Sequence, residues 1–156
     1  MKEDIYEVLE KLDIKYDEVR HKAVYTSDEA RFIDDEIDGT GCKNLFLTDK
    51  KGRYFVAVIK DDQRADIKAV AKAAGVPHLT FADLDKLGEI LGLGRGSVTP
   101  LGIVNDTDNL VTVAIEHSLQ GRRLLFHPNT NTRTISIDFK DLIRFFEYEK
   151  HEYVIF

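Results

Sequence analysis

Apolar positions along the chain repeat with two periods, near 3.6 and near 2, and the switches between them outline the elements. Ile5, Val8, Leu9 and Leu12 fall at i, i+3, i+4 and i+7, which predicts an amphipathic helix over residues 2–12. Residues 14–20 alternate poorly and predict a short exposed strand. Thr26-Ser27-Asp28-Glu29 sets a hydroxyl at an N-cap with Glu three residues on, a capping box opening a helix to about Asp35. Gly39-Thr40-Gly41 then breaks the chain. Asn44–Thr48 and Tyr54–Ile59 predict a β-hairpin joined by Asp49-Lys50-Lys51-Gly52. Ile67, Val70, Ala71 and Ala74 mark a helix that stops at Gly75, with Pro77 just beyond, and Leu84, Leu87 and Leu91 mark another ending at Gly92. Strands follow at Val111–Ile115, Arg123–Phe126 and Thr132–Ile137, the first preceded by a polar turn, Asn105–Asn109. A last helix carries Phe139, Leu142, Ile143 and Phe146 behind Asp138 as N-cap. The apolar tail Tyr153-Val154-Ile155-Phe156 must dock on the body or sit at an interface.

Hairpin-like strand pairs with intervening helices predict a mixed α/β sheet, without the strict alternation of a doubly wound fold. No repeat, low-complexity segment or linker interrupts residues 1–156, which predicts one domain. With 156 residues and 43% apolar side chains, the chain suits a single core. No apolar run approaches the roughly 18 residues of a membrane span, and Met1-Lys2-Glu3-Asp4 lacks an apolar signal region. A cytoplasmic protein with no membrane contact is the expectation. The formal charge of −6 argues against wrapping long nucleic acid over the whole surface, because phosphates need Lys and Arg. A local patch would suffice to touch a few phosphates.

Candidate chemistry narrows quickly. His21, His78, His117, His127 and His151 stand far apart, with no metal-ligand spacing, and the one cysteine, Cys42, builds neither a disulfide nor a metal site alone. No metal and no cofactor is expected. Cys42 lies beside Lys43, which can lower a thiol pKa, but a lone cysteine beside a strand is more often structural. Ser97 is out of frame for a nucleophile elbow, and the glycines around it match neither a Walker A loop nor a dinucleotide fingerprint. Three stretches remain. Lys43-Asn44-Leu45-Phe46-Leu47 puts a cation and an amide at the mouth of an apolar strand. Leu93–Ile103 gathers Gly94, Gly96, Gly102, Ser97, Thr99 and Pro100 into a stiff loop whose backbone N–H groups suit an anion or a developing oxyanion. Phe126-His127-Pro128-Asn129-Thr130-Asn131-Thr132 sets an imidazole, amides and hydroxyls between two strands. Each has a plain alternative: a solvated strand end, a connector, a turn.

In this order, and together with Val24–Ala30 and Asp66-Ile67-Lys68, these stretches resemble the YbaK/ProX superfamily of aminoacyl-tRNA editing domains over nearly the whole chain. Within it the chain looks most like the free-standing deacylases that clear misacylated proline tRNA. The resemblance implies a largely antiparallel, barrel-like sheet flanked by helices, and hydrolysis of the ester between a wrong amino acid and the terminal adenosine of a tRNA. It implies that Lys43 engages the phosphate or ribose of that nucleotide and that the backbone around Gly102 holds the aminoacyl carbonyl. No side-chain nucleophile is invoked, since the substrate's free ribose hydroxyl helps a water attack, in keeping with the missing triad. The resemblance implies substrate-binding positions at Thr26, Ser27, Phe32, Asn44, Ser97, Thr99, Pro100, Leu101, His127 and Asn131.

Relatives with lysine-asparagine here and a later histidine remove alanine from proline tRNA. A sister branch that removes cysteine is the internal alternative, and a non-catalytic aminoacyl-binding sensor is the one from another class. The implied partners are the acceptor end of proline tRNA carrying a wrong amino acid and, for recruitment, prolyl-tRNA synthetase or an elongation factor. Lys50, Lys51, Arg53, Lys60 and Arg64 form one basic edge and Arg95, Arg122, Arg123 and Arg133 another. Some of these are expected to face the Lys43 cleft.

Overall fold

A computed structural model describes residues 4–23, 33, 36–94 and 96–156. Helix α1 (Ile5–Lys11) starts where Asp4 accepts a hydrogen bond from the Glu7 N–H while Glu7 accepts one from the Asp4 N–H, a reciprocal capping box. The box expected at Thr26–Glu29 lies outside the described residues. Strands β1 (Asp17–Arg20), β2 (Thr40–Thr48) and β3 (Tyr54–Lys60) follow, then α2 (Ile67–Ala74), β4 (Thr80–Phe81) and α3 (Leu84–Leu91). Helices α2 and α3 end on left-handed Gly75 and Gly92, as the glycine stops predict. After a 3₁₀ helix (Pro100–Asn105) come β5 (Val111–Ile115), a second 3₁₀ turn (His117–Leu119), β6 (Arg123–Phe126), β7 (Arg133–Asp138), α4 (Phe139–Tyr148) and β8 (Tyr153–Ile155).

The eight strands form one mixed sheet in the order β1-β7-β6-β2-β3-β5-β8, with β4 against β2. Pairings β1–β7, β6–β7, β2–β3 and β2–β4 are antiparallel, and β2–β6, β3–β5 and β5–β8 are parallel. The main core holds α1, α3, α4 and the 3₁₀ helix through Val8, Leu9, Leu87, Leu91, Leu101, Ile103, Phe145 and Phe146. A smaller one forms under α2, where Ile67 and Val70 meet Leu45, Leu47, Phe55, Ala57 and Ala114. Strand β2 thus divides its side chains by the period of 2. Cys42 and Phe46 face the main core, while Leu45 and Leu47 face α2.

Three expectations change. Gly39-Thr40-Gly41 is not a break, since β2 already begins at Thr40. Thr40 and Gly41 pair in parallel with Leu124 and Leu125, partners too distant in the chain for any local pattern to reveal. Only Gly39 marks the entry, because a Cβ there would stand 2.6 Å from Leu125 Cδ2. The loop after Thr99 folds into a buried 3₁₀ helix. Pro100 keeps Thr99 extended, and Thr99 caps the helix through its Oγ1 and its carbonyl. Asp138 stands at the N-cap of α4 but makes no capping bond, and its carboxylate pairs with Arg123 at 3.3 Å. The apolar tail docks on the body as β8, parallel to β5.

Candidate active site

Strands β2 and β6 run together only through Thr40↔Leu124 and Gly41↔Leu125, and β4 joins the same edge of β2 only at Leu47 and Thr48. Residues 42–46 keep β3 on one side and, among the described residues, no strand on the other. The sheet therefore forks. Past the last paired residues, β2 continues as Cys42-Lys43-Asn44 and β6 as Phe126-His127. Two of the stretches singled out from the sequence thus flank one opening.

Asn44 is held across it. Its Nδ2 donates to the Val98 carbonyl at 3.0 Å, tying β2 to the glycine-rich loop. Its Oδ1 is buried with no hydrogen-bond partner, and Asn129 Oδ1, in the turn after β6, is a second such atom. An unpaired buried acceptor costs on the order of 1–3 kcal/mol, so each is an invitation to a donor. Asn129 was not among the positions picked from sequence. Its left-handed φ of 63° is the kind of turn geometry that Asn tolerates, but nothing local shows where its amide points.

His127 donates from Nδ1 to the Arg133 carbonyl at 3.0 Å, which fixes its tautomer. Burial pushes its pKa below the usual histidine value, with the nearby His21 charge in the same sense, while the bond to Arg133 opposes both. The ring is neutral near pH 7, and Nε2 presents a lone pair. His21 packs 6.0 Å away, centroid to centroid, and bonds to Thr134 Oγ1 through Nε2 at 2.9 Å. From sequence His21 was only one of five scattered histidines. Asn131 is half-buried in the same turn as Asn129.

Lys43 stands apart from these groups. It is half-buried, and strand alternation puts it on the α2 face with Leu45, opposite Asn44. Among the described residues its ammonium has no ion pair or hydrogen bond. The open edge is the place where one ligand can reach both faces. In the glycine-rich loop Ser97, Thr99, Pro100, Leu101 and Gly102 are all buried, and Leu101 belongs to the main core. The Gly102 N–H donates to the Thr99 carbonyl at 3.1 Å and the Leu101 N–H to Thr99 Oγ1 at 3.3 Å, so both are held inside the 3₁₀ helix. The Ser97 N–H donates to Gly94 O. Among the described residues, the N–H groups of Gly94, Gly96, Val98 and Thr99 meet no acceptor. Thr26, Ser27 and Phe32 lie outside the described residues.

Gly102 has a packing reason of its own. A Cβ there would lie 2.8 Å from Leu93 Cδ1, and Leu93 is itself only 4% exposed. Gly102→Ala is expected to cost about 1–3 kcal/mol of stability through overpacking, read as a lower midpoint in urea. Activity lost beyond the unfolded fraction would point to the backbone in the chemistry as well.

Only two cations of the basic edges expected from sequence, Arg123 and Lys60, meet acids among the described residues. Arg123 pairs with Asp17 and Asp138, Lys60 with Asp62, Arg133 bonds to Tyr6 and Arg122 to the Ser118 carbonyl. Lys50 and Lys51 sit in the turn beyond Thr48, which is itself about 17 Å along the strand from Lys43. Arg95 lies outside the described residues. Among the described residues, no three His, Cys, Asp or Glu side chains gather to hold a metal, and no helix is long and apolar enough to cross a membrane.

Known proteins share this chain's sequence and fold. The prolyl-tRNA editing protein ProX of Acetoanaerobium sticklandii is 38% identical over 143 residues, spanning 90% of this chain and 87% of that protein. The prolyl-tRNA synthetase associated domain-containing protein 1 of Danio rerio is 32% identical, over 99% of this chain and 86% of its own. Among solved structures, hypothetical protein APE2540 superposes with a TM-score of 0.76 at 17% identity, covering 97% of this chain and 99% of that one. A candidate trans-editing enzyme for prolyl tRNA synthetase superposes at 0.72 with 20% identity, covering 96% and 91%. Residues 21–145 match the family model described as the aminoacyl-tRNA editing domain. The chain belongs to that family, and its activity is that of an aminoacyl-tRNA deacylase, an ester hydrolase.

Proposed function

We propose that this protein removes alanine from mischarged proline tRNA, the tRNA's 3′-terminal adenosine lying in the fork between β2 and β6. The observation that carries the reading is a set of acceptors without donors on β2 and just past the end of β6: Asn44 Oδ1, Asn129 Oδ1 and the lone pair of neutral His127. An aminoacyl ester brings the matching donors, the N–H bonds of the α-ammonium and the free ribose hydroxyl.

A water attacks the ester carbonyl, assisted by that ribose hydroxyl, and the tetrahedral intermediate collapses to free alanine and the restored ribose hydroxyl. An aminoacyl ester is already activated, so orientation and preorganised dipoles suffice. The loop N–H groups of Gly94, Gly96, Val98 and Thr99 supply the donors for the carbonyl oxygen. The Lys43 ammonium holds the terminal nucleotide from the α2 face as a point charge. Ser97, Thr99, Pro100, Leu101 and Gly102 set the depth of the pocket from behind, with Asn131 at its turn. Thr26, Ser27 and Phe32 complete the proposed set. A pocket sized for a methyl group excludes proline by overfilling, whereas a substrate one methylene smaller loses only about 1–3 kcal/mol. Glycine is therefore the expected leak.

The whole chain works as one editing domain in the cytoplasm, with prolyl-tRNA synthetase or an elongation factor as the recruiting partner. The test is a deacylation panel of alanyl-, cysteinyl- and seryl-tRNA for proline at equal concentration. Alanyl ester should be cleared fastest. Fastest loss of the cysteinyl ester would move the protein to the sister specificity, and aminoacyl-adenosine binding without ester loss would make it a sensor.

A further inference from the structure

A groove of about 330 Å³ lies between α2 and the segment that follows it, lined by Lys68, Lys72, Val76, Pro77, His78 and Leu79. Lys68 and Lys72 sit one helical turn apart on the same face of α2, and both are exposed, as is His78. Neither lysine has an ion pair among the described residues. The local sequence explains why. Asp and Glu number 28 in the chain, yet none falls between Asp66 and Asp83. The groove is a cationic surface on an acidic protein, unlike Arg123 and Lys60, whose charges are answered by neighbouring acids.

Its place in the fold gives it meaning. Helix α2 packs through Ile67 and Val70 onto the face of the sheet that carries Leu45 and Leu47. Lys43 lies on that same face, about 6.6 Å before Leu45 along β2. The N-terminal end of α2 follows β3, and β3 pairs with β2 at Lys43↔Ile59. Lys43 and the helix that carries Lys68 and Lys72 therefore lie on the same side of the sheet.

We infer that this groove binds the sugar-phosphate backbone of the tRNA acceptor arm, so that RNA leaving the fork at Lys43 runs along α2. The inference rests on the proposed function for its choice of RNA. Lys68 and Lys72 act as point charges on successive phosphates, a contact that positions the substrate and reads no base. It resolves the mismatch between a net charge of −6 and an RNA substrate, because binding needs only this one track.

The test is the binding of uncharged proline tRNA to the whole protein and to Lys68→Glu/Lys72→Glu, titrated across salt concentrations. The variant is expected to bind roughly tenfold more weakly at low salt, and its log–log salt slope should be shallower by about 1.5 to 2. Cleavage of a short aminoacyl-CCA fragment, too small to reach α2, should stay at the wild-type rate. Lys68→Ala/Lys72→Ala, which keeps helix propensity, should lose affinity in the same direction and guards against misfolding of the charge-reversed form. Unchanged tRNA affinity and slope in both variants would overturn the inference, as would an equal loss on the short fragment. If wild type binds tRNA through these lysines yet releases no amino acid, the proposed function falls while the groove assignment stands.

Discussion

Replacing Lys43 with alanine is expected to lower single-turnover deacylation of alanyl-tRNA for proline on the order of 10²-fold, with the melting temperature unchanged. The magnitude follows from removing one preorganised charge from a site that works by orientation and electrostatics alone. The unchanged stability follows from the position. Lys43 is half-buried where β2 pairs with β3 on one edge only, and its ammonium makes no ion pair or hydrogen bond among the described residues, so nothing in the fold relies on that charge. A variant that deacylates at the wild-type rate would sink the proposed role. A variant that melts early would instead assign Lys43 to the fold.

The second large effect is on stability and lies far from the fork. Asp106 and His151 form a pair at 3.0 Å with side chains 1% and 4% exposed. Asp106 also accepts the N–H bonds of Leu110 and Val111 at 3.0 and 2.8 Å, and His151 Nδ1 meets the Glu149 carbonyl at 3.1 Å. The pair fastens the polar turn before β5 to the end of α4, from which β8 departs. Asp106→Ala leaves a buried imidazole, the buried Val111 N–H and the part-buried Leu110 N–H without an acceptor, and should cost about 3–5 kcal/mol.

The pair also sets a pH window. Burial opposes the Asp106 charge, but the bonds from His151, Leu110 and Val111 outweigh it and hold the carboxyl below its ordinary 3.8. Burial likewise opposes the His151 charge, but Asp106 and the Glu149 carbonyl outweigh it and lift the imidazole above 6.5. A depressed carboxylate contributes stability above its unfolded pKa and loses it as pH falls through the folded one. A raised histidine contributes fully below its unfolded pKa and loses that stability as pH rises through the folded one. Stability from the pair should therefore be greatest between about pH 4 and 6.5 and decline on both sides. Urea midpoints measured from pH 3 to 9 should show this dome in wild type and a flatter profile in Asp106→Ala. Parallel profiles would mean that the pair contributes equally at every pH and would refute the assignment.

Local chemistry was legible where it is enforced locally. The stops at Gly75 and Gly92, the stripe of Ile5, Val8 and Leu9, and the β2–β3 hairpin all follow from short-range rules, and the structure repeats them. The extended Thr99 before Pro100 is of the same kind. The start of β2 at Thr40 was not legible, because its parallel partners lie on β6. Nor was the internal use of the Gly102 N–H, since a glycine-rich run reads alike whether its donors face a ligand or cap a helix.

By itself the sequence determined most of the helices and strands, three candidate stretches for the site, and the likeness to aminoacyl-tRNA editing domains. Each of these depends on residue type and spacing within reach of one turn or one strand. Tertiary structure decided that β2 parts from β6 just before Lys43, that Lys43 and Asn44 serve opposite faces, and that Asn129 joins Asn44 as a buried acceptor without a donor. It also decided which cations stay free, because Arg123 is neutralised by Asp17 and Asp138, acids from other strands, whereas Lys68 and Lys72 meet none. Pairing and charge compensation between distant segments are set by how the sheet closes on its neighbours, and no local period records that.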